Sequence, residues 1–302
     1  MTVYEGTHVW IWQPWNIYGG DVNQLITACK QRGIDGVIIK FANGSLANDQ
    51  VSQRFMDYFK KYAGPLKAAG ITVGGWIYQY LTDPLCEVDA CTQAIGAGAD
   101  WIVFDAETEI KGKGAQVTQF LQAYRAKHPH TVTGLSSFAI ADYHTDEVPF
   151  AEYAKYVDVL MPQIYWDEMK WPVEVAFLSS VTSYKKYNKP IAPTGQSYLT
   201  AKPSDMAKFV QLCKSNGFRH VSWWDWDEAS PEQLNAIEQN RIQIVNSTPQ
   251  PVPEDWRIRE INAARTTGIF TSDHKPGEPV TIEVLAAALN NLYKLIKGGN
   301  KT

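Results

Sequence analysis

The run Ala99-Asp100-Trp101-Ile102-Val103-Phe104-Asp105-Ala106-Glu107-Thr108-Glu109 holds the residues best suited to chemistry. An apolar stretch ends in two carboxylates two positions apart, and alternate side chains of a strand share one face. At a rise of about 3.3 Å per residue, their Cα atoms stand roughly 6.5 Å apart. That spacing lets one group protonate a leaving oxygen while the other meets developing positive charge, as cleavage of a glycosidic bond demands. Glu107 is the candidate general acid, because a carboxyl at the floor of an aromatic-lined cleft keeps its proton towards neutral pH. Asp105 is its partner, as charge stabiliser, orienter of a substrate acetamido group or nucleophile. The competing reading is a pair of solvated acids at a strand end, and the surrounding elements decide between the two.

From residue 7 to about residue 239 the chain alternates short β-rich apolar runs with amphipathic segments. The pattern predicts strands at 8–12, 36–41, 72–78, 101–105, 131–136, 157–165, 191–196 and 220–226. Helices are expected at 21–32, 52–69, 87–96, 115–128, 150–156, 173–187, 204–216 and 231–239. Asp21, Ser204 and Ser230 suit the N-cap position, and Pro231 suits a first helical position. Gly33, Gly70 and Gly217 stand where helices must end before the next strand. Apolar runs that are continuous rather than alternating imply a parallel sheet covered on both sides. Eight such units over about 230 residues predict an α/β fold, a (β/α)8 TIM barrel. No GxGxxG or GxxxxGK[ST] follows a strand, which removes the signature of nucleotide-binding sheets.

In such a barrel the chemistry sits at the C-terminal ends of the strands. Read in order, those ends carry Trp12 and Gln13, Lys40 and Asn43, Tyr78 and Gln79, and Asp105 and Glu107. Ser136 and Ser137, Gln163 and Tyr165, and Gln196 and Tyr198 follow, then Trp224, Asp225, Trp226 and Asp227. Tyr165 and Gln163 are expected to reach the carboxylates from the sixth strand. Trp12, Lys40, Tyr78, Gln79, Gln163, Gln196, Trp224, Asp225 and Trp226 form the expected substrate-binding set. Trp10, Trp12, Trp15, Trp76, Trp224 and Trp226 divide between barrel filling and stacking on sugar faces. Alternation places Trp224 and Trp226 on one face, opposite Trp223 and Asp225, without saying which pair looks inward. Asp227 is either a further carboxylate or a cap for the final helix.

The chain has 302 residues, 45% of them hydrophobic, and a net charge of −4. Slight acidity argues against nucleic acid or an anionic membrane as partner, since both call for a basic patch. No apolar run approaches the roughly 18 residues of a membrane span. The start, Met1-Thr2-Val3-Tyr4-Glu5-Gly6, shows neither a basic nor an apolar secretory region, so a cytoplasmic or virion-associated protein is expected. Cys29, Cys86, Cys91 and Cys213 form no CxxC pair; reduced thiols are expected, with a Cys86–Cys91 bridge as the lesser option. The histidines are scattered and form no HExxH, so no metal and no cofactor are expected. Ser136-Ser137 lacks the GxSxG elbow of serine nucleophiles.

With Phe104-Asp105-Ala106-Glu107, Leu160-Met161-Pro162-Gln163-Ile164-Tyr165-Trp166 and Val221-Ser222-Trp223-Trp224-Asp225-Trp226, the chain resembles the barrels of glycoside hydrolase families 18 and 25. These are the chitinases and the phage or bacterial lysozymes. The resemblance implies Glu107 as proton donor, with Asp105 and Tyr165 assisting the acetamido group or the oxocarbenium-like state. It implies peptidoglycan, or a related N-acetylated polysaccharide, as substrate. Two departures keep alternatives open: the first strand lacks the aspartate of family 25, and Val103 stands at an acidic position of the chitinase DxxDxDxE. The alternatives are a non-catalytic carbohydrate-binding barrel and a glycosidase for another polysaccharide such as chitin.

The domain reading is a catalytic barrel at 1–244, a Pro-rich linker at 245–253 and a small two-helix module at 254–302. Trp256, Ala263-Ala264, Gly268-Ile269, Pro276, Glu278-Pro279-Val280-Thr281 and Leu285 resemble the C-terminal module of phage endolysins. So short a module buries little core, which favours self-association, docking on the barrel or a partner, with wall binding and a stabilising tail as its two readings. The whole therefore reads as an endolysin, kept in the cytoplasm until it is released to the cell wall.

Overall fold

A computed structural model of the protein describes residues 2–47 and 49–243. The expected linker at 245–253 and the two-helix module at 254–302 lie outside the described residues. Eight parallel strands close into a barrel in the order β1 to β8. The strands are β1 (Gly6–Ile11), β2 (Gly36–Asn43), β3 (Thr72–Tyr78), β4 (Trp101–Asp105), β5 (Val132–Phe138), β6 (Val159–Ile164), β7 (Thr194–Gln196) and β8 (His220–Trp224). Around them run α1 (Val22–Arg32), α2 (Gln50–Ala68), α3 (Pro84–Gly96), α4 (Gly114–Lys127), α5 (Phe150–Tyr156), α7 (Val173–Lys185), α8 (Pro203–Ser215) and α9 (Pro231–Gln239). A single extra turn, α6 (Trp166–Met169), follows β6.

Local chemistry sets the helix ends. Asp21 caps α1, accepting from the amides of Asn23 at 2.9 Å and Gln24 at 3.4 Å. Ser230 and Gln233 cap α9 reciprocally as a capping box. The expected cap at Ser204 is displaced: Pro203 already occupies the first turn of α8, and Lys202 precedes it with no side-chain cap. Gly33 ends α1 in the left-handed region, at φ 60°. Strand seven is shorter than expected. Pro193 has no N–H for the ladder, so Ile191 joins only through an isolated bridge to Leu160. Strand eight ends at Trp224, two residues before the expected end. All four cysteines are free thiols.

One parity governs the barrel. Val9, Ile39, Val73, Ile77, Ile102, Phe104, Leu135, Leu160, Val221 and Trp223 point outward into the apolar layer shared with the helices. Trp10, Ile38, Trp76, Trp101, Val103, Val159 and Met161 point inward and fill the barrel. Large inward side chains at the floor fit because their neighbours are glycines. A Cβ on Gly74 would stand 2.7 Å from Trp101 Nε1, and one on Gly36 would stand 2.8 Å from the His8 ring. The floor is thus plugged by Trp101, His8 and His220 at the N-terminal end, leaving the opposite end to open.

Candidate active site

Register brings the strand ends abreast. Tyr78 pairs with Asp105 and Asp105 with Ser136, Phe138 pairs with Gln163, and Lys40 lies opposite Trp76. Inward parity then aims one residue or more from most strands into a cavity of about 230 Å³ at the C-terminal mouth. Its walls are Trp10, Trp12, Lys40, Trp76, Tyr78, Asp105, Glu107, Ser136, Gln163, Tyr165 and Trp224.

Gln163 is the hub. Its Nε2 stands 2.9 Å from Asp105 Oδ1, 2.9 Å from Glu107 Oε1 and 3.1 Å from Ser136 Oγ. One amide thus donates to both carboxyls, and the Ser136 hydroxyl also hydrogen-bonds Asp105. Burial drives the Asp105 carboxyl well above its usual range, and the charge of Glu107 beside it adds to the rise. Burial likewise raises Glu107, with the charges of Glu109 and Glu168 adding to it, while Gln163 and Lys40 pull the other way. The sequence pointed to Glu107 as the raised group; both are raised, and Asp105, only 4% exposed, lies the deeper. Two interacting carboxyls of this kind titrate as a unit and retain a proton where an isolated one has lost it. Burial also keeps the Tyr165 hydroxyl protonated, so it faces the cavity as a donor.

The aromatic wall has a rigid base and an open rim. Trp10, Trp76 and Trp224 meet edge to face, with centroids 5.3 to 5.7 Å apart. Trp10 Nε1 donates to Ser222 Oγ and Trp76 Nε1 to the Ile11 carbonyl, both at 3.1 Å. Those two rings are buried and pinned, whereas Trp12 and Trp224 keep exposed faces. Asp227 settles the position of Trp12. It accepts from the amides of Trp12 at 2.7 Å and Gln13 at 2.9 Å, so it holds the end of β1 and does not cap α9. Tyr78 is steadied by donating its hydroxyl to Glu109.

Eight of the twelve residues expected at the site from sequence reach this cavity: Glu107, Asp105, Tyr165, Trp12, Lys40, Tyr78, Gln163 and Trp224. Four stand elsewhere. Gln79 has the outward parity of its strand and accepts from the Tyr153 hydroxyl at 2.6 Å, behind the barrel. Gln196 is buried under the loop after β6, accepting from the amide of Asp167 at 3.0 Å. Asp225 is fully buried, pushed up to about 8 by burial and by Asp227, and accepts from the Glu228 amide. Trp226 packs into the outer apolar layer. Alternation cannot carry it to the face of Trp224, because the strand has already ended. Trp10, Trp76 and Ser136 also line the cavity. Trp10 and Trp76 lie two residues before Trp12 and Tyr78, so the period-two rule could have placed them one layer beneath. Among the described residues, no three His, Cys, Asp or Glu side chains cluster as a metal site requires.

No family model matches the sequence, and no curated protein gives a significant match to it. Solved structures do resemble its fold. A chitinase from Bacteroides thetaiotaomicron superposes with a TM-score of 0.60 at 9% identity, over 82% of this chain and 99% of that one. Active domain 2 of a Pyrococcus furiosus chitinase, studied as catalytic-site mutants, gives 0.58 at 14% identity, over 78% and 93%. An Ostrinia furnacalis group IV chitinase in complex with allosamidin gives 0.56 at 10% identity, over 78% and 98%. At such identities the likeness is one of architecture, and the chain is, by its own closed parallel sheet, a (β/α)8 barrel.

Proposed function

We propose that this protein is a glycoside hydrolase of the phage-lysin type that cuts a β-1,4 bond beside an N-acetylated sugar in peptidoglycan. The observation that carries the reading is a pair of raised carboxyls, Asp105 and Glu107, under one shared amide at the base of a tryptophan-walled cavity. Glu107, the more open of the two, delivers its proton to the leaving glycosidic oxygen. Asp105 is too deeply buried, and too fully engaged with Gln163 and Ser136, to attack a sugar carbon. The negative charge of the pair, held by Gln163 and Ser136, lies beneath the acetamido group as positive charge builds there, and the Tyr165 hydroxyl donates to that group. Trp12 and Trp224 offer flat faces to the apolar sides of the sugar rings. Residues 254–302 belong to this reading as a wall-binding or self-associating module.

Loss of turbidity from purified cell walls, with release of new reducing ends, is the direct assay. New amino groups in place of reducing ends would make the protein an amidase or peptidase instead. A second reading, a glycosidase for chitin, draws on the fold likeness to the chitinases named above. A panel of chitin and peptidoglycan oligosaccharides compared by kcat/KM separates the two. Binding to insoluble wall with no product after long incubation would favour a non-catalytic sugar-binding barrel.

A further inference from the structure

Lys40 is the only cation among the described residues that line the cavity. It lies near the end of β2, opposite Trp76, where the pairing of β2 with β3 slips by one residue between Lys40 and Ala42. Lys40 keeps the inward parity of Ile38 before that slip, which directs it into the cavity. The residue is only 5% exposed. Its ammonium lies 4.3 Å from the centroid of the Trp76 ring, 5.1 Å from that of Phe55 and 5.6 Å from that of Tyr78. Aromatic faces attract a cation but accept none of its three N–H bonds in the way an oxygen does. Among the described residues, Nζ has no hydrogen-bond partner and no carboxylate within the 4.0 Å of an ion pair. With no protein acceptor, the N–H bonds that face the cavity are left for a ligand to meet.

We propose that Lys40 binds a carboxylate carried by the sugar in the cavity, so that the site prefers an acid-bearing N-acetylated polysaccharide to a neutral one. This deepens the glycosidase reading and rests on it. Both carboxyls are raised and so carry less negative charge than two free ones, and Lys40 offsets what remains, so the cavity admits an anion that the carboxyls alone would repel. Burial lowers the Lys40 ammonium to about 8, so it is still largely charged at neutral pH. Two carbohydrate carboxylates share the required chemistry: a lactyl ether on an amino sugar and a C6 uronate.

The test measures binding to the Glu107→Gln protein, which holds its ligands uncut. The probes are three tetrasaccharides of equal length: N-acetylglucosamine alone, N-acetylglucosamine alternating with N-acetylmuramic acid, and N-acetylglucosamine alternating with glucuronate. One of the two acidic probes should bind at least tenfold tighter than the neutral one, about 1.4 kcal/mol. Which of them does so identifies the source of the carboxylate. Adding Lys40→Gln should bring the ratio close to one. A second measurement leaves Lys40 intact: esterifying the carboxylate of the preferred probe should cost the same tenfold. Equal binding of neutral and acidic probes, or a preference that survives both Lys40→Gln and esterification, overturns the proposal and leaves the glycosidase reading standing. Binding of none of the three overturns both.

Discussion

Gln163→Met isolates the shared amide. Methionine keeps the length and most of the volume of the side chain while removing both N–H donors, so the change falls on Asp105 and Glu107 and spares the packing. A hydrogen bond to a charged group is worth about 1.5–3 kcal/mol, and one pKa unit corresponds to about 1.36 kcal/mol. Each 2.9 Å contact therefore favours the ionised form of its carboxyl and holds it down. The sign follows from which form the donor favours: the amide stabilises the ionised carboxylate, so its loss raises both groups. The acid limb of a kcat/KM–pH profile reports formation of the singly ionised pair, and the basic limb reports loss of its last proton. Both limbs should move to higher pH by about 1–2 units. Hydrolysis of soluble peptidoglycan fragments, followed as reducing ends across pH 3 to 9, gives the profile. A bell that loses height at unchanged position, or that moves to lower pH, would refute the argument that Gln163 tunes the pair.

Glu107→Gln should lower kcat on the same fragments by about 10²–10⁴, with thermal stability and wall binding nearly unchanged; activity within tenfold of wild type would remove Glu107 from proton transfer. Asp105→Asn should be comparably severe, whereas Glu109→Gln should stay within a few-fold because glutamine still accepts from Tyr78. Trp10→Ala should cost about 3–5 kcal/mol in urea unfolding, since the ring is buried and pinned, while Trp12→Ala should chiefly raise KM. Gly74→Ala should destabilise by about 1–3 kcal/mol, because its Cβ would stand 2.7 Å from Trp101 Nε1; unchanged stability would mean that the floor can yield. His8 is fully buried beside His220, Trp101 and the Glu5 carbonyl, and burial lowers it to about 4. Between its unfolded value near 6.5 and about 4, the unfolded chain binds a proton that the folded one refuses, so stability falls as pH falls. The loss is about 3 kcal/mol over that window. The raised carboxyls pull in the opposite direction, so the readout is the difference in pH slope between wild type and His8→Asn. Equal slopes would contradict the assignment.

Much of the architecture was legible in the residues alone. Strands buried on both sides need unbroken apolar runs, amphipathic helices need their own period, and both patterns are local. Strands β3 and β4 and helices α5 and α9 therefore fall where periodicity and capping place them. The polar and aromatic residues at the strand ends stood out for a similar reason. A packed core would have used valine, isoleucine or leucine at Asp105, Gln163 and Tyr165, and their presence marked one rim. Tertiary structure decided which of those end residues meet. Period two gives relative facing along a strand but no absolute direction. Only closure of the barrel turned Trp224 inward with Ser222 and sent Trp223 to the helices. Gln79 and Trp226 sit one position off parity or past a strand end, and a single residue of shift carries a side chain across the sheet. Gln163, 56 residues from Glu107 in sequence, became the hub only when the register of β4, β5 and β6 set their ends level. Parity and composition are properties of neighbours along the chain. Register, burial and the raised carboxyls arise from neighbours in space, which no local pattern encodes.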